Sequence, residues 1–363
     1  MRLGFRIILL TSICLVYIGA AEKPRTRLAH IGLGLDGSWS FMKDAQAEPE
    51  AELVAVADPR PELLERAKAA TRPGTRFYTD YVRMLDEVKP DAVLVTVPNS
   101  EHLAVTRACA QRRIHVWFQK PMATSARDAR EMEKLAGESG ILLMINYHTL
   151  WSTSMQTVAS RVEAGDVSPV QRLIVRHAFN ADKVLSPTYY AYFLDPVLHG
   201  GGALMDQGTY GIDYALWLLG RPTRVLAVGK TLAERPGLKT EDEAWVILDY
   251  PKATAILYGG WWTQPAIGPG VGELMISGPK CLLLRDLDKV TLTTAADREP
   301  RPVPVPAIPH ERSNGVAHFV DCIRNGKPIE APHSAALNVA VIEVVEAAYE
   351  SMRTGKAVAL AAR

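Results

Sequence analysis

The chain of 363 residues lacks the features of disulfide-stabilised, metal-dependent or nucleic-acid-binding proteins. Its four cysteines include no Cys-x-x-Cys pair, which excludes a disulfide framework. We expect free thiols at Cys109, Cys281 and Cys322, with one disulfide as the alternative. No His-Glu-x-x-His or comparable ligand spacing is present, so we expect no catalytic metal. A net charge of +1 without a basic run gives no reason to expect nucleic acid as a partner.

Long apolar runs are also missing, and the run near the N-terminus extends only over residues 7–18. Arg2 and Arg6 flank its start, and the small residues Gly-Ala-Ala at 19–21 suit cleavage. This is the form of a secretory signal peptide at residues 1–21, because a membrane span needs about 20 apolar residues. We therefore expect a secreted or periplasmic protein with no membrane contact after cleavage. An uncleaved anchor is the alternative.

Strand and helix patterns alternate over residues 26–147. Strands are predicted at residues 28–31, 53–57, 76–78, 92–97, 115–118 and 142–145. Helical patterns lie between them, for example at 61–70 and 126–139. Near-continuous apolar strands with helical crossovers predict a doubly wound parallel sheet, the Rossmann arrangement, with ligands at the C-terminal strand ends.

The pattern changes in residues 148–363, which we assign to a second domain for substrate binding and oligomerisation. Helices are predicted at 154–164, 203–219, 316–324 and 335–353. Strands are predicted at 170–179, 224–231, 244–250, 253–260, 273–277 and 280–284. Strands that follow one another through short turns indicate an antiparallel sheet, so this domain is α+β. The proline-rich stretch 299–309 is predicted to be a loop.

The first predicted strand runs directly into a Gly-x-Gly-x-x-Gly loop. Gly32 allows a tight turn, Gly34 lets the backbone approach a pyrophosphate, and Gly37 lets the next helix pack closely. Asp58 ends the second strand, where an acid binds the adenosine ribose diol. This context predicts an NAD or NADP site. The carboxylate favours NAD, whereas Arg60 leaves NADP open.

Two more strand ends face the same crevice and carry polar residues. We expect the cofactor to be lined there by Thr96, Pro98, Asn99, His102, Gln119 and Lys120. Lys120 precedes a proline and is well placed beside a nicotinamide ring, where it suits proton transfer during alcohol oxidation. A solvated lysine at a strand terminus is the alternative.

A glycine run at residues 200–202 precedes a helix with two polar residues on one face. The glycines permit close approach of another backbone or of a ligand. Asp206 and Tyr210 are four residues apart and so lie on the same face. Tyr210 is suited to proton transfer, and Asp206 to holding a sugar hydroxyl or orienting Lys120. The alternatives are a helix-start acid and a packing tyrosine.

Six further residues are weaker candidates. His148, Asn180 and His199 are expected to line the substrate pocket, although His148 is equally suited to a structural role. Trp261 and its neighbour are expected to pack in the core or against a subunit, with stacking on a sugar as the alternative. His30 interrupts the first buried strand and is interpreted as a hydrogen-bonded core histidine.

Together these motifs resemble the glucose–fructose oxidoreductase/inositol dehydrogenase (Gfo/Idh/MocA) family. The motifs are the glycine loop, Pro98-Asn99-x-x-His102, Lys120-Pro121 and the glycine-run helix through Asp213. The resemblance implies a Rossmann domain followed by a domain with a large open sheet, and a homo-oligomer. It also implies hydride transfer between NAD(P) and a sugar, cyclitol or related polyol, with Lys120 catalytic.

Two positions depart from the family pattern. Gln119 replaces the glutamate of Glu-Lys-Pro, which leaves Lys120 without an anionic neighbour in the sequence. Tyr210 stands where many members carry histidine, although relatives resembling glucose–fructose oxidoreductase and dihydrodiol dehydrogenase also use tyrosine. Activity is therefore still expected, but a close match to the inositol dehydrogenases is not.

The sequence thus predicts an exported NAD(P)-dependent oxidoreductase. Because free NAD(P) is scarce outside the cytoplasm, a tightly bound cofactor is expected. Two alternatives use the same fold. One is a glycosidase or lyase that oxidises its substrate transiently, and the other is a sugar-binding or sensing protein without activity.

Overall fold

The computed structural model describes residues 23–35, 37–181, 187–262 and 273–361, and only the backbone of residues 187–190. The predicted signal peptide lies outside the described residues. The first domain contains a six-stranded parallel sheet in the order β3-β2-β1-β4-β5-β6. Its strands are β1 (Thr26–Ile31), β2 (Ala51–Ala57), β3 (Arg76–Tyr78), β4 (Ala92–Val95), β5 (His115–Gln119) and β6 (Leu143–Asn146). Its helices are α1 (Ser38–Ala47), α2 (Pro61–Ala70), α3 (Tyr81–Val88), α4 (His102–Ala110) and α5 (Ala126–Ser139).

The predicted Rossmann sheet is confirmed, and its strands are buried because helices cover both faces. All four residues of β4 are buried, as the near-continuous apolar pattern requires. The strand is two residues shorter than predicted because the chain leaves the sheet at Thr96. The Thr96 amide still donates to the carbonyl of Ile31 at 2.8 Å, so the polar residues that follow begin at the sheet edge.

The second domain contains a nine-stranded sheet in the order β14-β13-β12-β11-β7-β10-β9-β8-β15. Its strands are β7 (Arg172–Ala178), β8 (Arg224–Lys230), β9 (Glu243–Asp249), β10 (Thr254–Gly260), β11 (Glu273–Ser277), β12 (Cys281–Asp286), β13 (Lys289–Thr294), β14 (Arg301–Pro302) and β15 (Val358–Ala359). Its helices are α6 (Thr153–Glu163), α7 (Pro187–Leu194), α8 (Pro196–His199), α9 (Thr209–Leu219), α10 (Gly315–Asn325) and α11 (Ala335–Thr354). The β7–β10 pair is parallel and the other pairs are antiparallel, which confirms a large, mostly antiparallel sheet.

Three strands differ from the prediction. β13 was not predicted, although its residues alternate and Val290 faces the core. β14 lies within the stretch predicted to be a loop, at the sheet edge where the missing N–H of Pro302 costs no ladder bond. β15 is a two-residue edge strand, too short to leave a periodic signal.

The last two helices return to the first domain. Phe319 and Val320 of α10 pack with Trp117 of β5 and Leu28 of β1 in one buried cluster. Helix α11 packs on α5 of the first domain and on β8 of the second. Residues beyond 148 therefore complete the core of the Rossmann domain, and the division of the chain after residue 147 stays a prediction.

Two further observations concern the described residues only. No helix among them combines the length and apolar character needed to cross a bilayer. Cys109, Cys281 and Cys322 are free thiols, as expected, and the first and last of these are buried.

Candidate active site

The glycine loop is held to the end of β4 by side-chain hydrogen bonds. Gly32 has a φ of +91°, and a Cβ there would lie 2.5 Å from the carbonyl oxygen of Thr96. The Thr96 hydroxyl donates to the carbonyl of Gly32 at 2.6 Å, and His30 Nε2 lies 3.0 Å from the same hydroxyl oxygen. His30 is thus a hydrogen-bonded core histidine, as predicted. Thr96, which we predicted to line the cofactor, is 1% exposed and braces the loop from within.

The residues around the loop fit a dinucleotide. Helix α1 starts directly after Gly37, and among the described residues no side chain caps its N-terminus. The first-turn amides and the helix dipole therefore suit a pyrophosphate. A Cβ on Gly34 would lie 2.1 Å from the Arg60 guanidinium, so a cation lies directly above this backbone.

Asp58 differs from the simple expectation of a ribose-binding acid. Its Oδ2 accepts the Leu33 amide at 2.7 Å, and its two oxygens accept Nε and Nη2 of Arg60 at 2.8 Å each. The carboxylate side chain is fully buried, whereas that of Arg60 is 35% exposed. Because Arg60 compensates the negative charge, repulsion of a 2′-phosphate is weaker than Asp58 alone implied.

Lys120 and Asp206, from different domains, form a buried ion pair at the crevice. Lys120 Nζ bonds Asp206 Oδ1 and donates to the Asp206 carbonyl at 3.0 Å. The side chains are only 8% and 3% exposed. Burial by itself raises the pKa of Asp206, but the Lys120 ammonium and nearby hydrogen-bond donors outweigh it, and the pKa lies below its usual value. The anionic neighbour that Gln119 does not supply is therefore provided by Asp206.

Asp206 lies in a π-helical turn (Leu204–Gly208) immediately before α9. Such turns interrupt the regular helix and occur frequently at functional sites. Asp206 Oδ2 accepts the side-chain amide of Gln207 at 2.6 Å and the indole N–H of Trp261 at 2.8 Å. Trp261 is thus a buried residue of the site wall, in line with the expected core packing.

Tyr210 lies between the groups that surround the ion pair. Lys120 Nζ lies 5.0 Å from the centre of its ring, and the His177 ring stacks on it at 3.9 Å. The Tyr210 hydroxyl is hydrogen-bonded to Nδ1 of His148 at 2.7 Å. The predicted residues Lys120, Asp206, Tyr210 and His148 therefore converge on one point of the crevice.

Gln207 and His177 were not among the predicted site residues. His177 Nδ1 donates to Gln207 Oε1 at 2.6 Å, and Gln207 in turn donates to Asp206. Burial lowers the pKa of His177 to about 3, so the ring is neutral. A sequence signal existed, because Gln207 adjoins Asp206 and His177 lies near the end of β7, three residues before Asn180.

Several predicted residues brace the crevice from inside. Asn99 Nδ2 donates to the carbonyl of His199 at 2.7 Å, and His199 Nδ1 lies 2.7 Å from the carbonyl of Gly201. The ring nitrogens of His102 lie 3.0 and 3.3 Å from two backbone carbonyls, and the ring is 1% exposed. Asn180 is buried, and its Oδ1 has no hydrogen-bond partner within the part of the chain that the structure describes. The Asn99, His102 and His199 side chains thus make contacts to the protein backbone.

The glycine run serves packing of the protein on itself. A Cβ on Gly201 would lie 2.0 Å from the hydroxyl of Tyr349, and one on Gly202 would lie 2.0 Å from the carbonyl oxygen of Glu241. The sequence left two possibilities for what approaches these glycines, another part of the protein or a ligand. The structure places protein atoms there. This contact sets the π-helical turn, and hence Asp206, against the second sheet.

A cavity of about 830 Å³ opens beside these residues. Its walls come from α1, from the ends of β5 and β6, and from the β12–β13 turn. The lining includes Trp39, Gln119, Asn146, His148, Arg285 and Asp288. Pro98 is half-buried at the neighbouring end of β4. Within the described ranges, no group of three or more His, Cys, Asp or Glu residues could hold a metal ion.

Comparison with known proteins agrees with this geometry. The scyllo-inositol 2-dehydrogenase (NADP(+)) of Bacillus subtilis (strain 168) is 24% identical over 94% of this chain and 98% of its own length. The D-apiose dehydrogenase of Paraburkholderia graminis is 26% identical over 85% of this chain and 83% of its own. The crystal structure of aldose-aldose oxidoreductase from Caulobacter crescentus complexed with glycerol superimposes with a TM-score of 0.79 at 26% identity, covering 93% of this chain and 100% of that one.

Two family models match the chain. Residues 26–147 match that of an oxidoreductase family with an NAD-binding Rossmann fold, and residues 155–279 match the GFO/IDH/MocA C-terminal domain. Both matches fall on the two sheets described above. The chain therefore belongs to the Gfo/Idh/MocA family of NAD(P)-dependent oxidoreductases.

Proposed function

We propose that this enzyme oxidises or forms a hydroxyl group on a sugar, cyclitol or related polyol. The supporting observation is the buried Lys120–Asp206 pair, with Tyr210 beside it, at the crevice where the glycine loop ends. Bound NAD(P) supplies the hydride acceptor or donor. Two relatives named above are dehydrogenases of scyllo-inositol and D-apiose, which supports a polyhydroxy substrate.

Asp206, Lys120 and Tyr210 have different roles in moving the proton of the substrate hydroxyl. Asp206 holds the Lys120 amine at one position, so little freedom is lost when a substrate binds. Lys120 exchanges the proton with the substrate oxygen, and Tyr210 completes the proton path. Gln119 and Asn146, at the ends of neighbouring strands, line the cavity next to this point.

The experiment uses a defined panel of scyllo-inositol, D-apiose, D-xylose, D-glucose and methyl D-glucoside. Each compound is incubated with the purified protein and NAD or NADP, and formation of reduced cofactor is measured. We expect net reduction with at least one compound. Cleavage of the glucoside without net reduction would indicate transient oxidation instead, and binding without any turnover would indicate a sugar-binding protein.

Export and a tightly held cofactor are the second part of the proposal. The support is the apolar run at residues 7–18 with its flanking arginines and small residues. In a bacterial host we expect protein that begins near Glu22 in the secreted or periplasmic fraction, with cofactor that persists through gel filtration. Full-length protein in the cytoplasm would contradict export, and cofactor lost on the column would contradict tight binding.

Arg60 is expected to allow NADP as well as NAD. Its guanidinium pairs with Asp58 and lies above Gly34, where it can meet a 2′-phosphate. Replacing it by alanine should lower kcat/KM for NADP about tenfold or more relative to NAD, since a hydrogen bond to a charged group contributes about 1.5–3 kcal/mol. The control is Arg66→Ala, which removes a cation stacked on Trp39 of α1. An unchanged ratio in Arg60→Ala would exclude this contact.

The outer face of the second sheet is proposed to bind a second copy of the chain. Exposed apolar side chains lie side by side on neighbouring strands, since Val228 pairs with Trp245, and Ile247 pairs with both Leu226 and Ile256. Contiguous exposed apolar patches of this kind mark interaction surfaces.

Trp245→Glu should therefore lower the mass measured by light scattering to that of a monomer. The control is Val82→Glu on α3, an exposed apolar residue outside the patch. A wild-type monomer, or an unchanged oligomer in Trp245→Glu, would contradict the assignment of this face.

A further inference from the structure

We propose that His148 carries the proton between the Tyr210 hydroxyl and water in the crevice. This inference rests on the proposed oxidoreductase function and adds a residue to its proton path. His148 lies directly after the last Rossmann strand, in a short 3-10 turn (His148–Trp151). His148 thereby links Tyr210 of α9, in the second domain, to the end of β6 in the first domain.

The hydrogen bond between Tyr210 and His148 sets the direction in which the proton moves. We assign the Tyr210 hydroxyl as the donor to Nδ1 of His148, 2.7 Å away, which places the proton of the neutral imidazole on Nε2. Tyr210 is 1% exposed, whereas the His148 ring is exposed and lines the cavity of about 830 Å³. His148 thus contacts both the buried hydroxyl and the open cavity.

The surroundings of His148 keep its ring unprotonated at neutral pH. The pKa of His148 lies below its usual value, mainly because the surrounding protein removes water from the ring and secondly because of the Lys120 ammonium. The Asp206 carboxylate has the opposite effect and raises this pKa. His177, on the far face of the Tyr210 ring, is neutral. Arg285 and Asp288 line the same cavity with opposite charges. The imidazole is therefore neutral near pH 7.

The step balances without a further reactant. During oxidation bound NAD(P) would take the hydride from the substrate carbon, and the substrate oxygen would release its proton to Lys120, whose ammonium passes one proton on towards Tyr210 as it takes this one up. When that proton reaches the Tyr210 oxygen, the hydroxyl's own proton moves to Nδ1 of His148. The proton on Nε2 then leaves to water, which leaves a neutral ring protonated on Nδ1, and rotation of the ring or proton exchange with water restores the starting tautomer. Reduction runs the same transfers in reverse.

His148→Asn separates proton transfer from positioning. The asparagine oxygen takes the place of Nδ1 and accepts from Tyr210, but it carries no proton onward. With the best compound of the panel, we expect kcat to fall at least tenfold, with little change in KM, because positioned acid–base groups contribute about 10²–10⁴-fold. Added imidazole should restore part of kcat in His148→Gly, and the rescue should increase with imidazole base. The control is His310→Asn, an exposed histidine outside the site.

Wild-type kcat in His148→Asn would overturn the proposal and leave His148 as a positioning residue. A second readout does not depend on turnover. Histidine ¹⁵N spectra should show His148 protonated on Nε2, and Tyr210→Phe should shift the Nδ1 resonance. Protonation on Nδ1 would overturn the proposal even if every panel compound proved inert. Inert compounds with the expected spectra would instead count against the proposed function.

Discussion

Replacing Lys120 by methionine should lower kcat/KM for the panel substrate at least a hundredfold. The change removes the amine that exchanges the hydroxyl proton, and such groups contribute about 10²–10⁴-fold. It also leaves Asp206 charged and buried, with its side chain only 3% exposed. We therefore expect a second effect, a loss of about 3–5 kcal/mol in the free energy of unfolding, because one partner of a buried ion pair is removed.

The double variant Lys120→Met/Asp206→Asn separates the two effects. Removing both charges should restore most of the stability, as measured by urea unfolding, since no buried charge is left unpaired. Activity should stay at the level of Lys120→Met. The matched control is the exposed pair of Arg224 and Asp249, whose removal should cost at most about 1 kcal/mol and leave kcat/KM unchanged. An active double variant would remove Lys120 from the mechanism.

The meeting of Lys120 and Asp206 is only partly readable from the sequence. The two residues are 86 positions apart, and each carried its own local signal. Lys120 ends a buried parallel strand, and topology places such ends at the ligand-binding edge of the sheet. Asp206 follows a glycine run, which permits close packing. That the two form an ion pair depends on how the second sheet docks, and no local pattern encodes that geometry.

The fold was more predictable than the contacts of the site. The parallel sheet follows from apolar strands with helical crossovers, and helices α2 and α5 have the predicted bounds. The partner of Asp58 was less accessible. Arg60 is a near neighbour of Asp58 in sequence, but that its guanidinium covers the carboxylate depends on the folded structure. Side-chain rotamers decide this contact, and a residue pattern with period two or 3.6 does not report them.

The same distinction applies to residues missed altogether. Gln207 and His177 form hydrogen bonds that link Asp206 to the stacked ring on Tyr210. In sequence, both look like ordinary polar positions of a helix and a strand. Their role depends on the π-helical turn, whose Gly208 packs closely against Gly259 of β10. Their nearness to predicted site residues is visible in the sequence, but the irregular turn that brings them into contact is not.

Acidification from pH 7 to pH 4 should unfold the protein. Burial lowers the pKa of His30 and His102 to about 4, and that of His177 and His333 to about 3. Below the unfolded value of about 6.5, the unfolded chain binds protons that the native chain does not, so stability falls as pH falls. Each histidine lowers the free energy of unfolding by roughly 1 kcal/mol for each pH unit below this value, and the four together lower it by on the order of 5 kcal/mol per pH unit. Within a few pH units the summed loss equals a typical free energy of unfolding, which is about 5–15 kcal/mol.

Urea unfolding followed by circular dichroism at pH 8, 7, 6 and 5, about one pH unit apart, measures the slope. It should be flat above pH 7 and steep below pH 6, and His30→Asn should reduce it by roughly 1 kcal/mol per pH unit. The lowered pKa of Asp206 adds a loss in the same direction at still lower pH, where the carboxylate protonates and its pairing with Lys120 ends. Equal stability at pH 7 and pH 5 would mean that the buried histidines are charged in the native state.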